Sequence, residues 1–129
     1  MTRRVLVAED DPNILISLEF LLKNAGHAVT TAASGDTAWR LIEGEGETAP
    51  PDLVVLDVML PVIDGLELAR RLRGDARFAG TRILMLSARG RDAEVKAGLA
   101  LGADAYITKP FGTRDLLAEV ARLLQEAAR

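Results

Sequence analysis

Five side chains that could take part in chemistry come directly after short apolar segments of the sequence. Three are acids, one is a hydroxyl and one is an amine: Glu9, Asp10, Asp57, Ser87 and Lys109. Placing a lone carboxylate beside a buried segment costs free energy unless something pairs with it. The recurrence of such residues after apolar segments therefore indicates a shared site, in which acids and amine compensate one another's charge.

The acids Glu9, Asp10 and Asp57 would repel one another in a common site and raise one another's pKa values. A hard divalent cation removes that conflict, and Mg²⁺ prefers oxygen ligands, typically one or two carboxylates together with a phosphate. Lys109 adds positive charge, and Ser87 adds a hydrogen-bond donor. A carboxylate, Mg²⁺, a lysine and a hydroxyl are the groups needed to transfer a phosphoryl group onto the carboxylate. The residue types therefore predict phosphoryl transfer.

Alternating strands and helices are predicted to position these side chains. Short apolar runs predict five strands: residues 4–8, 27–31, 52–56, 82–86 and 104–108. Apolar residues at helical spacing predict a helix after each strand. The fourth helix, residues 91–101, is rich in alanine and interrupted by Gly98. The polar segment 43–51 is predicted to be a loop.

Strict alternation of strands and helices favours an α/β fold with a parallel sheet and helices on both of its faces. Right-handed crossovers between five strands make a flavodoxin-like, doubly wound sheet of order 2-1-3-4-5 the predicted topology. In that order strands 1, 3, 4 and 5 are neighbours, and their carboxyl ends bring the five side chains to one rim of the sheet. Ligands of such sheets bind outside the carboxyl ends of the strands, at the switch between strands 1 and 3.

The composition narrows the class of protein further. The chain has 129 residues, of which 49 % are apolar and 27 % charged, enough for one folded domain. Its net charge is −3 with acids and bases intermixed, so we expect no direct contact with nucleic acid or a membrane. The lack of cysteine excludes disulfides, thiol catalysis and zinc–thiolate sites. The sequence has neither a secretory segment nor a membrane-spanning run, which favours a cytoplasmic protein.

Four motifs, in this order and at these spacings, resemble the response-regulator receiver domains of bacterial two-component signalling: VLVAEDDP, VVLDVMLPVIDG, LMLSA and GADAYITKPF. The resemblance extends from about residue 3 to about residue 127, so we expect residues 1–129 to form a single receiver domain. It implies a switch that a sensor histidine kinase or a phosphotransfer protein phosphorylates. The switch in turn is implied to control a downstream effector domain or protein.

The resemblance implies a role for each residue at the acidic rim. Asp57 resembles the aspartate that accepts the phosphoryl group, and Asp10 resembles the direct ligand of Mg²⁺. Glu9 is similar to the acidic neighbour that acts on the metal largely through water. The backbone carbonyl of Met59 is implied to complete the protein's share of the coordination.

Three further residues are implied to sense the phosphoryl group. Ser87 stands where the family has a hydroxyl, more often that of threonine. Lys109 resembles the lysine that pairs with the phosphate, and its bond to Pro110 is typically cis in the family. Tyr106 resembles the switch aromatic that turns inward when the hydroxyl moves toward the phosphate, which changes the face of the fourth helix, fifth strand and fifth helix. An ordinary place in the core is the alternative for Tyr106.

The motifs GAD and ITKPF are similar to those of receivers that form a homodimer through this same helix–strand–helix face. Members of the DNA-binding winged-helix class often carry an acid at the position of Ala105 and another near Ala100. The two alanines weaken the case for that particular salt-bridged dimer, and they do not bear on phosphorylation.

Three other interpretations compete with this one. A receiver-like interaction module that is not phosphorylated usually lacks the aspartate, the acidic pair or the lysine, and all of these are present here. A phosphatase of the haloacid dehalogenase type requires Asp-x-Asp after its first strand, whereas Met59 stands two positions after Asp57. A P-loop protein requires GxxxxGK followed by Ser or Thr, which does not occur. We therefore expect no enzymatic activity beyond the protein's own phosphorylation and dephosphorylation.

Several other polar residues are expected to be structural. Asp11, which precedes Pro12, is predicted to cap the first helix. Four arginines in and after the third helix are predicted to form a solvated face, with a kinase contact as the alternative: Arg70, Arg71, Arg73 and Arg77.

Overall fold

The computed structural model describes residues 3–44, 50–88 and 90–127, and within them five strands alternate with five helices. The strands are Arg4–Ala8 (β1), Ala28–Ala32 (β2), Leu53–Asp57 (β3), Arg82–Ala88 (β4) and Ala105–Lys109 (β5). The helices are Pro12–Asn24 (α1), Gly35–Ile42 (α2), Gly65–Arg73 (α3), Asp92–Ala100 (α4) and Thr113–Ala127 (α5). A short 3₁₀ turn at Ala76–Phe78 was not predicted. Residues 45–49 of the predicted polar loop lie outside the described residues.

The five strands form one parallel sheet of order β2-β1-β3-β4-β5, so the predicted flavodoxin-like topology is confirmed. The helices lie on both faces of this sheet. One face packs against α2 and α3 through residues such as Leu6 and Val54, and the other packs against α1 and α5 through residues such as Val7 and Val55. All of β3 is buried, because a strand covered on both faces has no solvated side.

Four strands, β2 to β5, end later than the apolar pattern predicts, and the extensions of β3, β4 and β5 include residues of the predicted site. Asp57 is paired with Leu86 in the ladder between β3 and β4, and Ser87 is paired with Thr108 between β4 and β5. Lys109 closes β5. Backbone hydrogen bonds form the ladder whatever the side chain is, so an apolar run marks where a strand is buried and not where its pairing stops.

Side-chain caps fix the loops that follow β1 and β3. Asp11 caps α1, since its Oδ1 accepts the backbone N–H groups of Asn13 at 2.9 Å and Ile14 at 3.4 Å. Asp64 caps α3 by accepting the N–H of Glu67 at 2.8 Å. A cap of this kind contributes about 1 kcal/mol to helix stability. Both caps lie next to the acidic rim, so they also hold the backbone that carries its residues.

The prediction of a solvated arginine face is wrong for Arg73. Arg70 and Arg77 are exposed, whereas the Arg73 side chain is only 22 % exposed and pairs with Asp104. The guanidinium of Arg71 lies over the ring of Trp39, 5.5 Å from its centroid. Contacts of this kind join residues far apart in the chain, and local periodicity does not encode them.

Among the described residues, no helix is both long and apolar enough to span a bilayer.

Candidate functional site

An acidic cluster stands at the carboxyl ends of β1 and β3. Each of Glu9, Asp10 and Asp57 contributes one carboxylate oxygen to a group in which all the oxygens lie within 4.8 Å of one another. The Glu9 N–H donates to the carbonyl of Ala32 at 3.0 Å, which continues the ladder toward β2 past the end of β1. Glu9 is fully buried and Asp57 nearly so, while Asp10 is exposed. The predicted meeting of the three acids is therefore present.

Lys109 lies between two of these acids. Its Nζ is 2.5 Å from Glu9 Oε1 and 3.1 Å from Asp57 Oδ2. Burial alone would lower the pKa of Lys109, but the hydrogen bond with Glu9 and the charge of Asp57 outweigh it, and the pKa lies above its usual value. The lysine is therefore a fixed positive charge at the end of β5.

Glu9 retains a proton more tightly than an ordinary glutamate does. Burial raises the pKa of Glu9 to about 7, although the hydrogen bonds from Lys109 and from the N–H of Asp11 oppose the shift. The nearby charge of Asp57 adds to it. Lys109 alone does not balance the three carboxyl groups of the cluster, so negative charge at the rim is left uncompensated. Three clustered oxygen ligands with this excess charge fit a hard divalent cation such as Mg²⁺.

The loop after β3 folds back closely onto Asp57. The N–H of Met59 donates to Asp57 Oδ1 at 3.2 Å, and the N–H of Gly65 donates to the carbonyl of Val58 at 3.0 Å. A Cβ atom on Gly65 would stand only 2.3 Å from the backbone oxygen of Asp57. The absence of a side chain at Gly65 therefore lets α3 begin against the strand end that carries the candidate acceptor.

Ser87 and Tyr106 lie on the neighbouring strands but are not joined to the acids by hydrogen bonds. The buried Ser87 hydroxyl donates to the carbonyl of Ala88 at 3.3 Å. Tyr106 is 46 % exposed, so its alternative interpretation as a core residue is wrong. The backbone of Tyr106 pairs with that of Met85 on β4. Two positions further along both strands, the backbone of Thr108 pairs with that of Ser87. The peptide bond between Lys109 and Pro110 is cis.

A groove beside the acidic cluster includes one acid that the sequence did not point to, Glu94. It is lined by Asp10, Met59 and Asp64 from the loops, and by Glu94 from the first turn of α4. Glu94 follows Ser87 by seven positions and carries no motif of its own. Only the packing of α4 brings this carboxylate to the rim.

The model of the family described as "Response regulator receiver domain" matches residues 5–121. The chain is 39 % identical to the alkaline phosphatase synthesis transcriptional regulatory protein PhoP of Bacillus subtilis, over 98 % of this chain and 50 % of that protein. It is 43 % identical to the transcriptional regulatory protein AfsQ1 of Streptomyces coelicolor, over 97 % and 52 %.

Among solved structures, a putative response regulator from Chloroflexus aurantiacus superposes with a TM-score of 0.88 at 35 % identity, covering 97 % of this chain and 99 % of that one. The chain spans about half the length of the curated relatives it matches.

Proposed function

The chain belongs to the response regulator receiver domain family, and from this premise we propose that it is a phosphorylation-activated switch with Asp57 as the phosphoacceptor. The observation that carries the proposal is the placement of Lys109 Nζ between Glu9 and Asp57, next to the exposed acid Asp10. A nearly buried aspartate with a lysine on one side and a set of oxygen ligands on the other is suited to accept a phosphoryl group.

Mg²⁺ is the proposed cofactor, and the chain offers four groups to hold it. Asp10 and Asp57 would bind it directly, the backbone carbonyl of Met59 would complete the protein's ligands, and Glu9 would act through water. When bound, the metal supplies positive charge that neutralises the oxygens of the transferring phosphoryl group. The acidic cluster supports this assignment because all its donors are carboxylate oxygens.

In the proposed reaction, a phosphohistidine of a sensor histidine kinase or a phosphotransfer protein donates the phosphoryl group. A carboxylate oxygen of Asp57 attacks the phosphorus, and the phosphorus–nitrogen bond breaks with its electron pair returning to the imidazole. Lys109, already 3.1 Å from Asp57 Oδ2, stabilises the charge on the transferring oxygens. Ser87 rotates away from the carbonyl of Ala88 and donates its hydroxyl hydrogen to a phosphoryl oxygen.

The acyl phosphate adds about two negative charges to the rim, and this change is proposed to reach the surface formed by α4, β5 and α5. When Ser87 moves, it leaves space, and the exposed ring of Tyr106 turns toward that space. The rotation of Tyr106 biases the equilibrium between two arrangements of the surface. A downstream effector domain or protein senses the change. A homodimer through the same surface is a further proposal, although Ala100 and Ala105 do not supply the acids of a salt-bridged dimer.

The rest of the proposal concerns the chain as a whole. We infer that residues 1–129 form one receiver domain in the cytoplasm that makes no direct contact with nucleic acid or a membrane. It catalyses only its own phosphorylation and dephosphorylation. The alternative is a receiver-like interaction module that is not phosphorylated, and the experiment below separates the two.

Intact-mass spectrometry after incubation with Mg²⁺ and acetyl phosphate tests the proposal. The wild type is expected to gain one phosphoryl group, whereas Asp57→Asn gains none and EDTA abolishes the gain. Asp115→Asn, which removes an exposed acid at the start of α5, is the matched control and is expected to be phosphorylated like the wild type. An unmodified wild type, under conditions that label another receiver, would favour the interaction module.

A further inference from the structure

Arg73, the last residue of α3, is held by four acceptors from two loops. Its Nε donates to the carbonyl of Gly102 at 2.8 Å, its Nη1 to that of Phe78 at 3.2 Å and its Nη2 to that of Thr81 at 2.6 Å. Nη2 also lies 2.8 Å from Asp104 Oδ2. Only arginine offers donors in a rigid planar arrangement that can satisfy so many acceptors at once. The side chain therefore joins the end of α3 to the segment that follows α4.

Asp104 extends this contact to β4. Its Oδ2 accepts the N–H of Ile83 at 2.7 Å, and its Oδ1 accepts a hydrogen bond from Arg82 at 3.1 Å. The N–H of Asp104 donates in turn to the carbonyl of Ile83 at 2.9 Å. The connection between α4 and β5, residues 101–104, is thus tied both to α3 and to the first residues of a central strand.

The turn at Gly102 packs directly on the stem of Arg73. Gly102 has a φ of +110°, and a Cβ atom there would be 2.4 Å from Arg73 Cγ. The N–H groups of Leu101 and Ala103 close the end of α4 by donating to the carbonyls of Ala97 and Gly98, each at 3.0 Å. The C-terminal end of α4 is therefore both hydrogen-bonded to the turn that follows it and tightly packed.

The N-terminal end of α4 has backbone hydrogen bonds from Glu94 and Val95 to the carbonyl of Arg91, but its side-chain contact with another element is exposed. Arg91 stands at the cap position, and its side chain makes no capping hydrogen bond to the helix. Its ion pair with Glu94 is local to that end, and its contact with Met59 Sδ at 3.3 Å joins two exposed side chains through a weak acceptor. Within α4, the one buried residue is Gly98, which faces Leu66 and Met85 without a side chain of its own.

We propose that α4 is hinged at its C-terminal end by the Arg73–Asp104 pair, so that its N-terminal end, residues 92–95, is the part that moves. That end follows β4, which carries Ser87, and Glu94 lines the groove beside Asp10 and Met59. A change at the acidic rim therefore acts on the N-terminal end of α4, while the C-terminal end of α4 stays fixed. The use of the hinge as part of a switch rests on the proposed function, whereas the hinge itself does not.

Amide hydrogen exchange measured by NMR on the full chain in Mg²⁺ tests the hinge. An unanchored helix frays at both ends. In the wild type, the amides of residues 101–104 are expected to exchange as slowly as those of β4. They are also expected to exchange at least about tenfold more slowly than those of residues 95–97, because one hydrogen bond to a charged group supplies a factor of about ten.

Three variants locate the cause of that protection. Arg73→Met removes the guanidinium, and Arg73→Lys keeps the charge but not the planar set of donors. Both are expected to raise exchange at residues 101–104 by about tenfold relative to Arg70→Met, because one lost charged hydrogen bond accounts for that factor. Arg70 is the matched control, since it belongs to the same helix and pairs with Glu67 one turn away. If Arg73→Met does not fold, Arg73→Lys carries the comparison.

Equal exchange at the two ends of α4 in the wild type would overturn the hinge, as would Arg73 variants that behave like Arg70→Met. Beryllofluoride, which mimics an acyl phosphate, then tests its use. With Mg²⁺ and beryllofluoride, amide chemical shifts are expected to change more at residues 92–95 than at 101–104. A persistent exchange gradient without any response to beryllofluoride would leave the hinge intact and argue against Asp57 as a phosphoacceptor.

Discussion

Glu9 and Asp10 are adjacent in the chain, yet their carboxylates meet different surroundings. Glu9 is fully buried beside Lys109 and Asp57, whereas Asp10 faces the solvent at the groove. Burial raises the pKa of Glu9 to about 7, so the folded protein binds a proton there more tightly than the unfolded chain does. Glu9 therefore makes the stability of the folded protein depend on pH.

The first prediction concerns the pH dependence that Glu9 creates in the metal-free protein. Because its pKa rises from 4.5 to about 7 on folding, the stabilisation it provides is complete below the lower value and is lost as the pH rises through the upper one. We expect urea unfolding in EDTA to show a loss on the order of 1–3 kcal/mol between about pH 5 and about pH 8. Glu9→Gln should flatten this dependence, and an unchanged slope in that variant would contradict the assignment.

Val62 adopts a backbone conformation that valine rarely accepts. Its φ is +71°, and the N–H of Ile63 donates to the carbonyl of Pro61 at 2.9 Å, which defines a strained γ-turn centred on Val62. The side chain is 79 % exposed, so packing does not compensate for the strain. The strain lies in the loop that also carries Met59.

The second prediction is that Val62→Gly stabilises the fold. Glycine adopts positive φ without steric cost, and the relief outweighs the greater freedom of the unfolded chain, so we expect a gain of about 0.5–1 kcal/mol in urea unfolding. Val29→Gly is the control, because Val29 lies in β2, where glycine weakens a strand. A loss of stability in both variants would show that the turn at Val62 is not strained.

The first turn of α3 packs directly against the end of β3. Gly65 starts α3 against the backbone oxygen of Asp57, and Asp64 caps the same helix. The start of α3 and the strand end that carries the candidate acceptor are therefore in direct backbone contact.

The third prediction tests this contact with Gly65→Ala. A methyl group 2.3 Å from the Asp57 oxygen forces the strand end and the helix apart, so we expect a loss of roughly 1–3 kcal/mol in stability and slower labelling of Asp57 by acetyl phosphate. Gly80→Ala is the matched control, since a Cβ there meets no atom within 4 Å. Equal behaviour of the two variants would refute the close approach.

The acidic rim couples ligand binding to the folding of the entire domain. Glu9 and Asp10 follow β1, Asp57 ends β3 and Lys109 ends β5, so the site exists only when the sheet is assembled. A cation that binds the assembled rim and not the unfolded chain must therefore stabilise the entire domain.

The fourth prediction is that Mg²⁺ raises the melting temperature of the wild type. At a concentration about one hundred times the dissociation constant, linkage amounts to about 2.7 kcal/mol. We expect the shift to be abolished in Asp10→Asn, which lacks a proposed ligand, and retained in Asp92→Asn, which alters an exposed acid in α4. Differential scanning calorimetry with and without EDTA measures it, and an equal shift in all three proteins would place the metal elsewhere.

The order of the sheet and the membership of the acidic rim were both predictable from the sequence alone. Alternating apolar runs and helical spacing identify strand–helix units, and the handedness of crossovers leaves few ways to arrange five of them. Residues at strand ends then converge by topology, which is why Glu9, Asp10, Asp57 and Lys109 were found together. These features depend on local periodicity and on general rules of chain connection.

The surroundings of individual side chains depend on tertiary packing, which the sequence pattern does not record. Arg73 resembles its solvated neighbours in sequence, but its partners Gly102 and Asp104 lie about thirty positions away and are reached through the packing of two loops. The exposure of Tyr106 and the positive φ of Val62 were likewise not indicated by the sequence pattern. Periodicity along the chain reports which face of an element is buried. Contacts between distant loops depend on how whole elements pack, and no local pattern records them.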